Sequence, residues 1–254
     1  MIFSVTEYTE YSRKIIQFGL LKGKMKIRVA QKNRQIQDEI LVLGSMVEEA
    51  IFKCVAALKN RDEKLSHEVI ASDEKINAKR YAIENAILIL MATQQPFAHD
   101  LRRMAALLIV DNELERMGDY AKGIAKTNLH LGISDTPIPM KEIEKMAEIG
   151  TGMLHRALTA FVEENVKAAV KIPKEDDAVD DLFNTAYKII VKGMITNPAT
   201  IDQASMILWV VHNLERFADR VSNICERTVF IATGELLEFD KSDDADDDSI
   251  DEVF

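Results

Sequence analysis

Proline and glycine are scarce, five and ten in 254 residues, against average usages of roughly 5% and 7%. Aromatic residues contribute only 6%. A chain so poor in turn residues and aromatics, and rich in Met, Ala, Leu, Glu and Lys, is expected to be helical and not a sandwich or barrel. Cysteine is nearly absent: Cys54 and Cys225 stand alone, without CxxC spacing. That excludes zinc knuckles and disulfide scaffolds and fits reduced, buried thiols. No apolar run reaches the ~18 residues of a membrane-spanning helix. The opening MIFSVTEYTEYSRK has neither the charge-then-apolar order nor the cleavage site of a secretory signal. A cytoplasmic location is the expectation.

A positive balance is missing too. The formal charge is −10, and residues 238–254 carry nine acids against Lys241, which leaves only −2 for the rest. Residues 1–34 hold eight bases and two acids. A globally acidic chain without a basic face is a poor nucleic-acid binder, so no nucleic-acid partner is expected.

What the chain does have is helix-forming sequence between well-placed breaks. The prolines, at 96, 137, 139, 173 and 198, are tolerated at helix starts and costly inside helices. Helices are therefore predicted at about 33–60, 62–94, 97–131, 139–171, 174–196 and 198–233. Asp62 is placed to cap the second, and Gly234 to terminate the last. The stretch from Gly132 to Pro137 resembles a linker and divides six helices into two groups of three.

The two groups look like copies. Leu107, Val110, Leu114, Met117, Ala121 and Ile124 form an apolar stripe with steps of three and four. It returns one hundred residues later as Ile207, Val210, Leu214, Phe217, Val221 and Ile224. LERMGD at 114–119 repeats as LERFAD at 214–219, and Asp73 to Asn77 pairs with Asp176 to Asp180 at an offset of 103. The expected fold is all-α: two tandem three-helix bundles, 33–131 and 139–236, joined by a linker at 132–138, with the third and sixth helices as central seams. Residues 1–32 are expected to be a frayed extension or an extra helix, with Met25 a possible alternative start. Residues 237–254 read as an acidic disordered tail; the pattern at Asp244, Asp246 and Asp248 lacks the glycine and the twelfth position of a calcium loop.

Acidic pairs lie beside these seams. Glu115/Asp119 and Glu215/Asp219 are four residues apart, as are Asp111/Glu115, Asp176/Asp180 and Asp177/Asp181. That spacing sets both carboxylates on one helix face, where like charges repel unless a cation or proton intervenes. Adjacent helices could gather two pairs into a four-carboxylate cluster, whose oxygen-only ligands suit hard cations such as magnesium, manganese or iron. Arg116 and Arg216, beside these acids, are expected to pair with a neighbouring helix or help hold an anion. His212 is a candidate extra ligand, with a structural role the plainer alternative.

The doublet LERMGDYAKGIAK and NLERFADRVSNICE, with QQPFAHDLRRM at 94–104 ahead of the first copy, resembles the PhoU family over about residues 33–236. The resemblance implies paired three-helix bundles that bind multinuclear metal clusters, reported with iron, zinc or nickel. It also implies a cytoplasmic, often homodimeric, negative regulator of phosphate uptake without enzymatic activity. Its partners would be the ATPase of a Pst-type phosphate transporter (PstB-type) and a PhoR-type sensor histidine kinase, through which alone it would meet the membrane. Carried onto this sequence, it suggests one metal cluster at Asp73, Asn77, Glu115 and Asp119 and another at Asp176, Asp180, Glu215 and Asp219. Asn77 replaces an acid, and Tyr120 and Arg220 replace a frequent histidine after the motif aspartate. The second cluster is therefore expected to bind metal more tightly.

Two alternative classes share some of these features. An accessory protein of Pit-type phosphate transporters shares the bundle, but the doubled motif favours PhoU. A carboxylate-metal enzyme is disfavoured: the chain lacks both the Glu-x-x-His of ferritin-like oxidases and the EE-x-x-E of helical NTP pyrophosphatases.

Overall fold

A computed structural model describes residues 5–132 and 136–239, with side chains from Gln31 onward. Six long helices are present: α1 (Val5–Asn60), α2 (Glu63–Gln94), α3 (His99–His130), α4 (Met140–Glu163), α6 (Asp176–Thr196) and α7 (Ile201–Thr233), with a one-turn helix α5 (Val166–Ala169) between α4 and α6. No strand occurs among the described residues, and no helix there is long and apolar enough to cross a membrane.

The apolar stripes form the core. All six stripe residues of α3 and all six of α7 are fully buried, each contributing roughly 1.5–3 kcal/mol for the larger side chains. Helices α1, α2 and α3 pack together, as do α4, α6 and α7, and the bundles join through α3 on α7 and α1 on α4. Side-chain contacts give the direction of the central pair. Arg102 near the start of α3 donates to the Ile231 carbonyl near the end of α7, 3.3 Å away, whereas Gly123 late in α3 faces Trp209 early in α7. The two seam helices therefore run antiparallel.

Local signals act as their chemistry dictates. The Asp62 carboxylate accepts from the Leu65 amide at 2.9 Å and caps α2. Gly234 ends α7 in the left-handed region, φ 85°. Beyond it the chain turns back along α7. Leu237 and Phe239 pack on the core, and the Phe239 amide donates to Glu226 Oε1 at 3.0 Å.

Three expectations need correction. The span 139–171 is not one helix: α4 stops at Glu163, and Glu164 adopts φ 53° without a proline or glycine. Its carboxylate is held by Arg103 and His99 of α3, and the next residue, Asn165, caps α5 by accepting from the Ala168 amide at 3.1 Å. Residues 5–32 are helical, as the extra-helix alternative has it, but they form the first part of α1 and not a separate helix. The C-terminal tail begins later than expected, since 237–239 follow α7; residues 240–254, like 1–4 and 133–135, lie outside the described residues.

Candidate functional site

The acids stand where the 3.6-residue period puts them, just off the buried seam. On α3, Glu115 is half-buried and Asp119 exposed; on α2, Asp73 is buried at 3%. Asp73 Oδ2 accepts from Lys122 Nζ of α3 at 2.6 Å and from the Asn77 amide at 3.1 Å. Its other oxygen, Oδ1, makes no hydrogen bond. The Glu115 carboxyl is pushed above its ordinary range, first by burial and then by Asp119, with Arg80 and Arg116 opposing and Asp73 adding to the rise. Lys122 is held charged by its bond to Asp73, with further help from Asp119 and Glu115. Asp73, Glu115, Asp119 and Lys122 therefore share one electrostatic neighbourhood across α2 and α3.

One turn before Glu115, Asp111 is 1% exposed. Its Oδ2 lies 3.9 Å from Arg80 Nε of α2, and its Oδ1 makes no hydrogen bond. Burial pushes this carboxyl up to about 7 against the pull of Arg80, with Glu84 and Glu115 adding to the rise.

In the second repeat, Asp176 opens α6 buried at 2%, and Asp180 follows half-buried. Asp177 and Asp181, equally paired by spacing, are exposed. On α7, Arg216 reaches Glu215 Oε2 at 3.3 Å and Asp219 Oδ2 at 3.1 Å. It thus pairs within its own helix and not with a neighbour. His212 is exposed, with Nδ1 3.4 Å from Glu215 Oε2. Glu215, Arg216, Asp219, Arg220, Asn223 and Glu226 line a surface cleft of about 520 Å³, together with the returning residues Glu238 and Phe239.

The expected metal ligands are therefore distributed over the facing flanks of α2/α3 and α6/α7. Among the described residues, no three His, Cys, Asp or Glu side chains converge closely enough to hold a metal ion. The donor chemistry differs between the sets. The second offers four carboxylates, which suit a hard cation, whereas in the first an ammonium and an amide already share the oxygen of its most buried acid.

Sequence spacing also missed a contact between the repeats that involves three side chains. Arg220 of α7 donates to Glu113 Oε2 at 2.7 Å and to the Tyr120 hydroxyl of α3 at 2.8 Å, with its guanidinium carbon 5.5 Å from the Tyr120 ring centre. Tyr120 and Arg220 each follow a motif aspartate, and their departure from histidine was the only hint available. Lys122 and Arg80 gave none, because ion pairs between helices depend on packing and not on spacing.

Two copies of one helical unit, packed through antiparallel seams and carrying carboxylates on both flanks, define a duplicated three-helix-bundle protein. The PhoU domain matches twice, at residues 40–127 and 143–228. The phosphate-specific transport system accessory protein PhoU homolog of Clostridium acetobutylicum is 34% identical over 205 residues, 80% of this chain and 94% of that protein. The phosphate-specific transport system accessory protein PhoU of Escherichia coli (strain K12) is 30% identical over 200 residues, 79% of this chain and 83% of that protein. The crystal structure of the phosphate transport system regulatory protein PhoU from Streptococcus pneumoniae superposes with a TM-score of 0.76 at 30% identity, covering 83% of this chain and 99% of that one. The chain belongs to the PhoU family.

Proposed function

We propose that this chain is an accessory protein of a phosphate-specific transport system, a binding and signalling protein and not an enzyme. It acts in the cytoplasm as a negative regulator of phosphate uptake and of the starvation response. In this role it links a Pst-type transporter, through its ATPase, to a PhoR-type sensor kinase, and it works as a homodimer. The observation that carries the reading is the double family match, one copy per bundle, together with relatives of that name aligned over about four fifths of the chain. A regulator of this kind works by binding partner states with different affinities, which suits a rigid bundle with exposed charged flanks.

The reading includes cation binding at the carboxylate sets. In the second, Asp176, Asp180, Glu215 and Asp219 would hold the ion, of the iron, zinc, nickel, manganese or magnesium class. When bound, it would supply positive charge to neutralise acids that otherwise repel one another. Arg216 partly serves that purpose already, from the solvent side, its side chain 52% exposed.

Affinity capture of the full chain from phosphate-replete and phosphate-starved cells tests the proposal. Recovery of a phosphate-transporter ATPase or a sensor kinase in at least one condition is expected. Recovery of neither in both would overturn it.

A further inference from the structure

We infer that Lys122 is the resident counter-cation of the first carboxylate set, and that its ammonium keeps that set from taking a divalent ion. The inference rests on the reading that the paired carboxylates are cation sites, and it assigns the two repeats different roles.

Asp73 is the acid at stake, since its side chain is only 5% exposed and a buried carboxylate needs a compensating partner. Lys122 supplies it from the facing helix at 2.6 Å, itself 28% exposed, while the Asn77 amide fills the same oxygen from one turn along α2. The lysine acts on more than Asp73, because Asp119 and Glu115 also hold it charged. One ammonium thus bonds the most buried of the three carboxylates that the family resemblance assigns to the first metal cluster and lies within the field of the other two. A divalent ion coordinated there must sit roughly 2.0–2.6 Å from carboxylate oxygens. It would meet a like charge already at hydrogen-bonding distance from the most buried of them.

The second repeat has no such device in its sequence. One hundred residues beyond Lys122 stands Ser222, and the position matching Asn77 is Asp180. Three carboxylates and an ammonium on one side therefore correspond to four carboxylates and a hydroxyl on the other, a formal charge of −2 against −4. The arginines do not cancel this difference, because Arg116 and Arg216 recur in both repeats and are exposed. Lys122 and Asn77 are the two differences that bond Asp73. Arg80, which pulls on Glu115, has Phe183 at the matching position and widens the charge difference, while Arg220, opposite Tyr120, is paired with Glu113.

The test is Mn²⁺ binding to the full chain after chelation, measured by equilibrium dialysis with elemental analysis. It compares the parent protein, Asp119→Ala, Asp219→Ala, the double variant Lys122→Ser/Asn77→Asp, and Lys122→Gln, which keeps a donor for Asp73 while removing the charge. Circular dichroism confirms helical folding of each. Binding by the parent is expected to survive Asp119→Ala and to fall at least tenfold with Asp219→Ala. The double variant is expected to gain a further Mn²⁺ per chain, lost again when Asp119→Ala is added; Lys122→Gln should show the same gain at lower affinity. A gain in the variants with no binding by the parent would uphold the role of Lys122 and refute cation binding at the second set. Loss of parent Mn²⁺ on Asp119→Ala, or no gain in either folded Lys122 variant, would overturn the inference.

Discussion

Replacing Arg220 by methionine removes the one side chain that bonds both Glu113 and Tyr120 across the two repeats, while keeping most of its buried stem. The Arg220 side chain is 22% exposed and that of Glu113 11%, so solvent screens the pair far less than an exposed one. A hydrogen bond to a charged partner contributes about 1.5–3 kcal/mol, and the guanidinium on the Tyr120 ring a further ~0.5–1 kcal/mol. The expected loss is about 2–4 kcal/mol, because Glu113 is left desolvated without its partner. For a chain of this size that lowers the melting temperature by roughly 2–4 °C per kcal/mol. Urea titration followed by circular dichroism and by emission of the single tryptophan, Trp209, measures it. A double-mutant cycle with Glu113→Gln isolates the pair. A loss below ~1 kcal/mol, the range of exposed ion pairs, or a coupling energy near zero, would refute the argument.

Three further outcomes are expected. A Cβ at position 123 would overlap the Trp209 ring, whose nearest atoms include Cζ3 at 3.0 Å; Gly123→Ala should push the half-exposed indole outward and red-shift its emission, and an unchanged spectrum would contradict the packing. Because burial raises the Asp111 carboxyl to about 7, the folded state binds that proton more tightly than the unfolded chain, and stability should fall as pH rises from about 4 to about 7. Asp111→Asn should therefore gain stability at pH 8, by at most ~4 kcal/mol, and almost none at pH 4; denaturant titrations at both pH values check it, and a variant weaker than the parent at pH 8 would count against it. Burial pushes the Cys54 thiol up and the Cys225 thiol to about 12, so both should resist a thiol reagent in the native protein and react together on unfolding, as a timed absorbance assay would show.

How far the sequence was legible depended on whether a feature was local. The stripes at 107–124 and 207–224 were readable because periodicity directly reports which face is buried, and every one of those residues is buried. Asp62 and Gly234 were readable because helix caps involve only residues within a turn. Spacing identified Asp176/Asp180 and Asp177/Asp181 equally, yet only the first pair faces inward; the phase of α6 against α7 decides that. At Glu164 two side chains of α3 hold the carboxylate, a contact that spacing does not report, whereas the neighbouring Asn165, which caps α5, was a local signal that went unread. Lys122 looked like an ordinary helix lysine until α2 placed Asp73 beside it.

The contact of Tyr120 with Arg220 has a consequence for symmetry. These two positions are equivalent in the repeats, one hundred residues apart, yet they meet each other across the antiparallel seams. A two-fold dimer of identical subunits always sets such a position against its own copy. First repeats paired with one another would oppose tyrosine to tyrosine, and second repeats would bring together two arginines, each deprived of Glu113. Joining the copies in one chain allowed the halves to diverge into a complementary pair, so the seam now distinguishes one partner from the other. The duplicated bundle is symmetric in its backbone and directional in its recognition of itself.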